Sequence, residues 1–527
     1  MAIRLMGRRA LKKRTLPDYD YIGYDFEALG LFCDTDQPIQ AAFVKLDPDF
    51  EVIRSLNLKI MRNPYAVPGP KALEVTGLRP SCLHSSDRMT EFDAARKIAN
   101  VIGRTPTVEA IRKKVFFGYN ILSYDEGLLR YFLFRNLQDV YLTTGKNERR
   151  LDLFPAFQYL HFVSPGLIKP GRKEDGSLSW KLSDVMAANG MIAENAHDAE
   201  ADTLMTAELL KLFVERAQGV FEMFVELSDK RHVSKTLSEL MRSSSFVMEF
   251  SHFGSPEVTP LAPMARVGHK GHKTLGVDLA IHPREWMAMS AEEIAANLYK
   301  ADSPFRIVKH NACPIIVSPD DARLRGRLEQ MRYRCDYELF ERRASYIRRP
   351  DIVEKFQQVA QIMEAENREK FGGRKVARES ELYNKFVGDA DRNLCRIISR
   401  EEEWDQRMKQ IAKLTDPRLR DFAGRLVAMH APEEFVCEEH LLALREQYAI
   451  RLNDEDDSGT IQTIAIAEKE LETVSDPVLR EECAEMLQRL RKEFKEEIEL
   501  IDACVADMRA VASAPEDTRQ LDLGLFN

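Results

Sequence analysis

The sequence predicts an α/β domain, then a small β-rich domain, then an α-helical domain. Three changes of residue pattern along the 527 residues set that order. Up to residue 218, short β-prone runs alternate with helically spaced apolar residues, the signature of α/β layering. From 230 to 318, short β runs are separated by Gly, Pro and His. From 320 onward nearly every segment has helical spacing. A chain of this length exceeds one hydrophobic core. The expected organisation is a basic arm at 1–17, an α/β domain at 18–218, a β-rich domain with a helical connector at 219–350, a helical domain at 351–511 and a tail at 512–527.

In the first domain, strands are expected at 21–26, 41–46, 51–57 and 115–118. Helices are expected at 92–102, at 124–136 (apolar at Leu128, Leu129, Phe132 and Leu133), at 182–189 and at 198–217. The Gly-, Pro- and Lys-rich stretch 165–180 reads as a surface loop that offers Lys169, Arg172, Lys173 and Trp180. Strands of the second domain are expected at 246–250, 273–278, 305–310 and 314–317, with one helix at 291–299. In the third domain, Asp416-Pro417 and Ser475-Asp476-Pro477 each place a capping residue before a first-turn proline, a helix start. Residues 453–459 form an acidic loop.

Five residues at three places carry the chemistry. Asp25 and Glu27 end the first strand, and residues i and i+2 of a strand share a face. Asp125 follows Tyr124 at the start of a helix, and His197 precedes Asp202 by five residues. Clustered carboxylates suit hard divalent cations, which take few protein oxygens and fill the rest with water and substrate phosphate. Two such ions can stabilise the attacking and leaving oxygens of a phosphodiester displacement. The histidine is then placed to deprotonate the attacking water. This gives a site of Asp25, Glu27, Asp125 and Asp202 as ligands of two Mg²⁺ ions (Mn²⁺ as substitute), with Asp25 bridging and His197 as general base. Asp198 and Glu200 are expected to be solvated.

Composition removes several classes. There is no apolar run long enough for a transmembrane helix and no apolar core behind the basic N-terminus, so neither a membrane partner nor a secretory signal is expected. Eight cysteines without Cys-x-x-Cys spacing point to a reducing cytosol rather than a zinc ribbon or a disulfide scaffold. The net charge of −9 misleads, because residues 451–527 carry 20 acids and 9 bases while the other 450 residues are slightly basic. The arginines of 323–349 are either a salt-bridged helix face or a phosphate-tracking surface. Tyr119, Tyr124, Tyr131, His252, Phe253, His269 and His272, with Lys270 and Lys273, are candidates for stacking bases and holding phosphates.

The ordered set Asp25-x-Glu27, Tyr124-Asp125 and His197-x-x-x-x-Asp202 resembles the DEDDh 3′→5′ exonucleases. The resemblance sharpens to the bacterial exonuclease I family through Gly118-Tyr119-Asn120, Phe134-Arg135-Asn136, Asp152-Leu153, Asn195-Ala196-His197-Asp198, His310-Asn311-Ala312-Cys313-Pro314 and Glu381-Leu382-Tyr383-Asn384. It implies a ribonuclease-H-like exonuclease domain, an SH3-like domain and a helical domain around a groove for single-stranded DNA. It also implies digestion from a free 3′ end to 5′-mononucleotides, in DNA repair or recombination, by a monomer recruited by single-stranded-DNA-binding protein. Where that family usually has Thr, this chain has Ala28, so 3′-end positioning falls to the backbone N–H and to Tyr124, while Leu29 is either a wedge against the terminal base or a core residue and Asn120 either bonds substrate or holds the active-site loop.

The tail ends in Gln520, Leu521, Asp522, Leu523, Gly524, Leu525 and Phe526. Exposed apolar residues on a polar linker seek a pocket. This peptide resembles those by which bacterial replication and repair proteins dock on the sliding clamp. Two other readings stand beside the first: an RNA 3′ exonuclease of the same superfamily, similar to ribonuclease T, and a non-catalytic scaffold for single-stranded DNA and the clamp.

Overall fold

A computed structural model describes residues 19–103, 113–192, 198–300, 302–331, 335–371, 377–432, 438–453 and 461–513. The basic arm, His197, most of the acidic loop and the peptide at 520–526 lie outside the described residues.

The first domain is built on a five-stranded sheet ordered β3-β2-β1-β4-β5. Its strands are β1 (Tyr19–Ala28), β2 (Pro38–Leu46), β3 (Val52–Lys59), β4 (Lys113–Gly118) and β5 (Glu148–Asp152). β1, β2 and β3 form an antiparallel meander, and β4 and β5 add in parallel beside β1. Central strands buried on both faces read as apolar runs instead of alternating. Phe116 and Phe117 are accordingly both fully buried. The helices are α1 (Pro70–Thr76), α2 (Glu91–Ile102), α3 (Asp125–Arg135), α4 (Leu153–Val163), α5 (Leu182–Ala188) and α6 (Ala199–Leu227). This is the ribonuclease-H-like arrangement expected. β5 and α4 were not foreseen: β5 carries Arg149 and Arg150, and α4 is buried nearly all round, so neither has a clear period. The expected loop 165–180 contains a small hairpin, β6 (Gly171–Arg172) with β7 (Leu178–Ser179), whose Arg172 and Lys173 are exposed. α6 runs well past the expected end, through a break at Ala217.

After α7 (Lys230–Ser243) comes the second, SH3-like sheet, ordered β11-β10-β9-β8-β12 with antiparallel neighbours. Its strands are β8 (Val247–Phe253), β9 (Ser255–Val267), β10 (Lys273–Asp278), β11 (Phe305–Lys309) and β12 (Ile315–Val317), with α8 (Ala291–Asn297) inserted. β9 was hidden from sequence reading by Pro256, Pro260 and Pro263. The connector holds α9 (Ala322–Gln330), α10 (Tyr337–Tyr346) and α11 (Pro350–Phe371). Its described arginines are largely committed within the protein. Arg323 pairs with Asp321, Arg325 with Asp320 and Arg349 with Asp351, and Arg343 donates to the Leu279 carbonyl. The salt-bridged reading of that stretch is therefore the one observed.

The helical domain comprises α12 (Asp389–Arg400), α13 (Trp404–Ile411), α14 (Pro417–His430), α15 (Glu438–Asn453), α16 (Ile464–Glu470) and α17 (Pro477–Ser513). Asp416 caps α14 through the Arg418 N–H, and Pro417 occupies its first turn, as expected. Three apolar clusters join the domains. One runs from the first sheet into the SH3-like barrel, one from the first sheet into α12 and α14, and one from Leu29 and Ile39 into α15 to α17. The exonuclease-like domain thus packs against both others, and the end of β1 lies where the two clusters leading to the helical domain begin.

Candidate active site

The end of β1 is where the acidic residues meet. Asp25 and Glu27 project from one face, half-buried, while Tyr24 and Phe26 between them point into the core. A bulge between Glu27 and Ala28 ends the regular pairing with β2. Asp202 lies one turn into α6, whose first turn is capped by Asp198 accepting from the Glu200 and Ala201 N–H groups. One carboxylate oxygen from each of Asp25, Glu27 and Asp202 lies within 4.8 Å of the others. Asp125, in the first turn of α3, stands beside this group and outside that distance. Its Oδ1 accepts the Phe26 N–H at 3.1 Å, which ties α3 to β1. Four of the five expected residues are therefore brought to one place, and the fifth, His197, immediately precedes the described cap Asp198.

Burial pushes the Asp25 carboxyl well above the usual carboxylate range, and Asp125, Glu27 and Asp202 push it further. Glu27 rises to about 8, first by burial and then by Asp202 and Asp125. Asp125 rises to about 7 through burial, although the Phe26 N–H opposes the shift. Half-buried carboxylates this close repel one another, as the upward shifts of Asp25 and Glu27 show. The donor set is all hard oxygen and the mutual repulsion is what a divalent cation relieves, so the residues fit the metal site expected of them.

The loop from β4 to α3 is positioned by a residue to which sequence reading gave a place in the family resemblance but no role. Asp152 ends β5, caps α4 through the Phe154 N–H, and also accepts the Asn120 N–H at 2.8 Å and the Leu122 N–H at 3.0 Å. An Asp before an apolar helix was the available signal. Asn120 takes φ +64°, a turn conformation that Asn tolerates, and its side chain is exposed. At Gly118 a Cβ would overlap the Ile121 side chain, so only glycine lets β4 pass this turn. The Tyr124 hydroxyl donates to the Gly30 carbonyl at 2.6 Å and holds the loop after β1.

One open reading is decided and two expectations are corrected. Leu29, either a wedge against a base or a core residue, is core: it is 1% exposed inside the third apolar cluster, its N–H bonded to Gln37 O and its carbonyl to Gly69 N–H. Asp198 and Glu200 are not free in solvent: Gln40 donates to Asp198 at 2.8 Å and Asn57 to Glu200 at 2.9 Å, which fastens α6 to β2 and β3. Several candidate stacking residues are structural: the Tyr119 hydroxyl donates to the Trp180 carbonyl, and His252 packs edge-on to Trp180. Ala28 is buried, and Lys270, at the turn after β9, lies 5.5 Å over the exposed Phe386 ring of the helical domain.

No protein-family model matches the sequence. The chain is 28% identical over 405 residues to exodeoxyribonuclease I of Haemophilus influenzae, covering 72% of this chain and 80% of the relative. It is 25% identical over 434 residues to the Escherichia coli exodeoxyribonuclease I, covering 77% and 86%. Its fold matches exonuclease I from Methylocaldum szegediense with TM-score 0.75 at 22% identity, covering 91% of this chain and all of that one. Other solved structures of the same fold are a zinc-bound complex of E. coli exonuclease I with single-stranded DNA and a complex of exonuclease I with SSB. Among the described residues no helix is long and apolar enough to cross a membrane.

Proposed function

Because the chain belongs to the bacterial exonuclease I family, we propose that it is a metal-dependent exonuclease that degrades single-stranded DNA from the 3′ end to 5′-mononucleotides. The observation that carries this reading is the meeting of the Asp25, Glu27 and Asp202 oxygens within 4.8 Å at the end of β1. Asp25, Glu27, Asp125 and Asp202 would hold two Mg²⁺ ions, with Mn²⁺ as a substitute. When bound, the metal supplies Lewis-acid activation of water and screening of charge on the phosphodiester.

The protein's own part follows from its geometry. The Asp25 carboxyl, raised first by burial and then by Asp125, Glu27, Asp202 and Asp198, would hold metal together with those of Glu27 and Asp202. Glu27 and Asp202 approach from β1 and α6, two rigid elements, so their spacing is fixed before substrate arrives. Asp125 is aligned by the Phe26 N–H. His197, next to the α6 cap, takes the proton of the attacking water as general base. Asn120 and Tyr124 border the site on the Asp152-held loop and position the terminal nucleotide, together with the backbone at Ala28.

The pathway we assign is DNA repair or recombination in the bacterial cytosol and nucleoid. Single-stranded-DNA-binding protein is the recruiting partner, as the SSB complex of exonuclease I supports. We further assign Gln520, Leu521, Leu523, Leu525 and Phe526 to docking on the sliding clamp. Deleting 520–527 is expected to leave nuclease activity intact and abolish clamp binding; undiminished clamp binding removes that partner.

The deciding experiment is digestion of 3′- and 5′-labelled single-stranded DNA, duplex DNA and RNA, with Mg²⁺ and with chelator. Metal-dependent release of mononucleotides from the 3′ end of single-stranded DNA alone is the expected result. Equal or faster cutting of RNA overturns the substrate assignment, and binding without cutting overturns the enzyme.

A further inference from the structure

Away from the carboxylate cluster, a cavity of about 80 Å³ lies at the seam between the exonuclease-like and helical domains. Its walls come from both sides: Thr35 and Arg135 from the first domain, and Arg425, Arg445, Tyr448 and Arg451 from α14 and α15. Four polar atoms of these residues are buried without a hydrogen-bond partner among the described residues: Thr35 Oγ1, Arg135 Nη1, Arg425 Nε and Arg451 Nε. An unpartnered buried guanidinium N–H is costly, because it has left water and found no acceptor. That several should line one cavity marks the cavity as a place where acceptors are missing.

The acidic groups of the wall do not fill that need. Glu91 already accepts Arg135 Nε at 2.6 Å and Asn136 at 3.2 Å. Glu379 is shared between Arg425 at 2.7 Å and Arg451 at 3.1 Å. Arg425 also pairs with Asp421 at 2.8 Å, and Arg445 reaches Glu497 at 3.8 Å. All four arginines of the wall reach a carboxylate, so what is left over is a set of donors, three guanidinium N–H groups and a hydroxyl. The complementary ligand has several acceptor oxygens, no donor that must be satisfied and a small size, and an oxyanion of the phosphate class meets all three.

We infer that this seam is a binding site for a phosphate-class oxyanion, held by Arg135, Arg425, Arg451 and Thr35, that clamps the helical domain to the exonuclease-like domain. The two sources of that chemistry are inorganic phosphate and the 5′-phosphate of a mononucleotide. In the second case the half-buried Arg445 and the Tyr448 ring flank the group that carries the phosphate. The site does not depend on the carboxylate cluster, and its anion preference is opposite to the cation preference there.

The test uses the full chain with chelator present, so that the carboxylate cluster holds no metal and repels anions. Isothermal titration and thermal unfolding are run with inorganic phosphate, thymidine 5′-monophosphate, thymidine and chloride at matched ionic strength. Phosphate at about 10 mM is expected to raise Tm by about 1–3 °C, with thymidine and chloride inert. A larger shift with the monophosphate assigns the nucleotide as the source; an equal or smaller one assigns inorganic phosphate. Ala428→Phe, which fills the cavity from a half-buried wall position without removing a charge, is expected to abolish the shift. Should that variant not fold, Arg445→Ala at the rim is expected to weaken binding several-fold. No heat and no shift with either phosphate, which would mean ordered water only, overturns the inference, as does a shift undiminished in both variants.

Discussion

Asp125 and Glu126 are consecutive residues of α3, both buried, and their environments are opposite. Asp125 faces Asp25 and the end of β1 and is raised to about 7. Burial also acts on Glu126, but Arg130 and Arg150, with the Thr143 and Tyr24 hydroxyls, outweigh it and hold the carboxyl below its ordinary range. Arg130 lies 2.7 Å away and Arg150 3.2 Å. The same contrast recurs between Glu27, raised to about 8, and Glu379, lowered to about 2 by Arg451 and Arg425. What separates a structural carboxylate from a reactive one here is the source of its counter-charge. Glu126 and Glu379 receive theirs from arginines of the chain; among the described residues no arginine or lysine is a leading cause of the shifts of Asp25, Glu27 and Asp125.

The largest expected effect breaks the two classes apart by substitution. Asp25→Asn is expected to lower cleavage of single-stranded DNA by about 10³-fold or more while leaving Tm of the metal-free protein unchanged or raised, since it removes a repelling charge. Glu126→Gln strands two buried arginines and is expected to cost about 3–5 kcal/mol of stability. Activity and thermal unfolding measured on both variants check this. Equal destabilisation by the two substitutions breaks the comparison.

A pH series sharpens it. Glu27 has a folded-state pKa above its unfolded value, so its contribution to stability is present below about 4.5 and is lost as pH rises toward about 8. The chelated protein is therefore expected to lose Tm across that window. Mg²⁺ is expected to restore several degrees at pH 8 and little at pH 5, with a calorimetric scan at each pH as the measurement. Glu379 runs the other way. Its stabilisation is present above about 4.5 and is lost as pH falls toward about 2, and Glu379→Gln is expected to flatten that acid limb.

The contrast also explains what the sequence made legible. Asp25-x-Glu27 on a strand, and Asp202 after a helix cap, follow from local periods, so β1, α3 and α6 and their carboxylates were found where expected. Partners distant in sequence were not legible. Nothing local marks Asp152 as the acceptor for Asn120 and Leu122, or joins Glu126 to Arg150 and Thr143. The choice between wedge and core at Leu29 stayed open for the same reason: the cluster that holds it includes Ala449, Leu452 and Ile464 of the helical domain, more than four hundred residues away. β5 and β9 were missed because arginines and prolines mask a β period that only sheet pairing reveals.

The smallest expected effect tests the boundary between the reactive cluster and its frame. Ala28 follows Glu27 at the bulge that ends β1 and is 8% exposed, so it belongs by burial to the frame and by position to the site. Ala28→Thr adds a hydroxyl and a methyl in a packed place, at a cost of about 1–3 kcal/mol at most if nothing yields. A hydroxyl that reaches the terminal nucleotide contributes about 0.5–1.5 kcal/mol. The expected outcome is a KM for single-stranded DNA about 2–10-fold lower, with kcat within about 2-fold, because the gain is in binding and leaves the carboxylates untouched. A kcat that falls together with KM assigns Ala28 to the packing that sets the spacing of Asp25 and Glu27. The division between frame and reactive cluster then runs through β1 one residue earlier, at Glu27 itself.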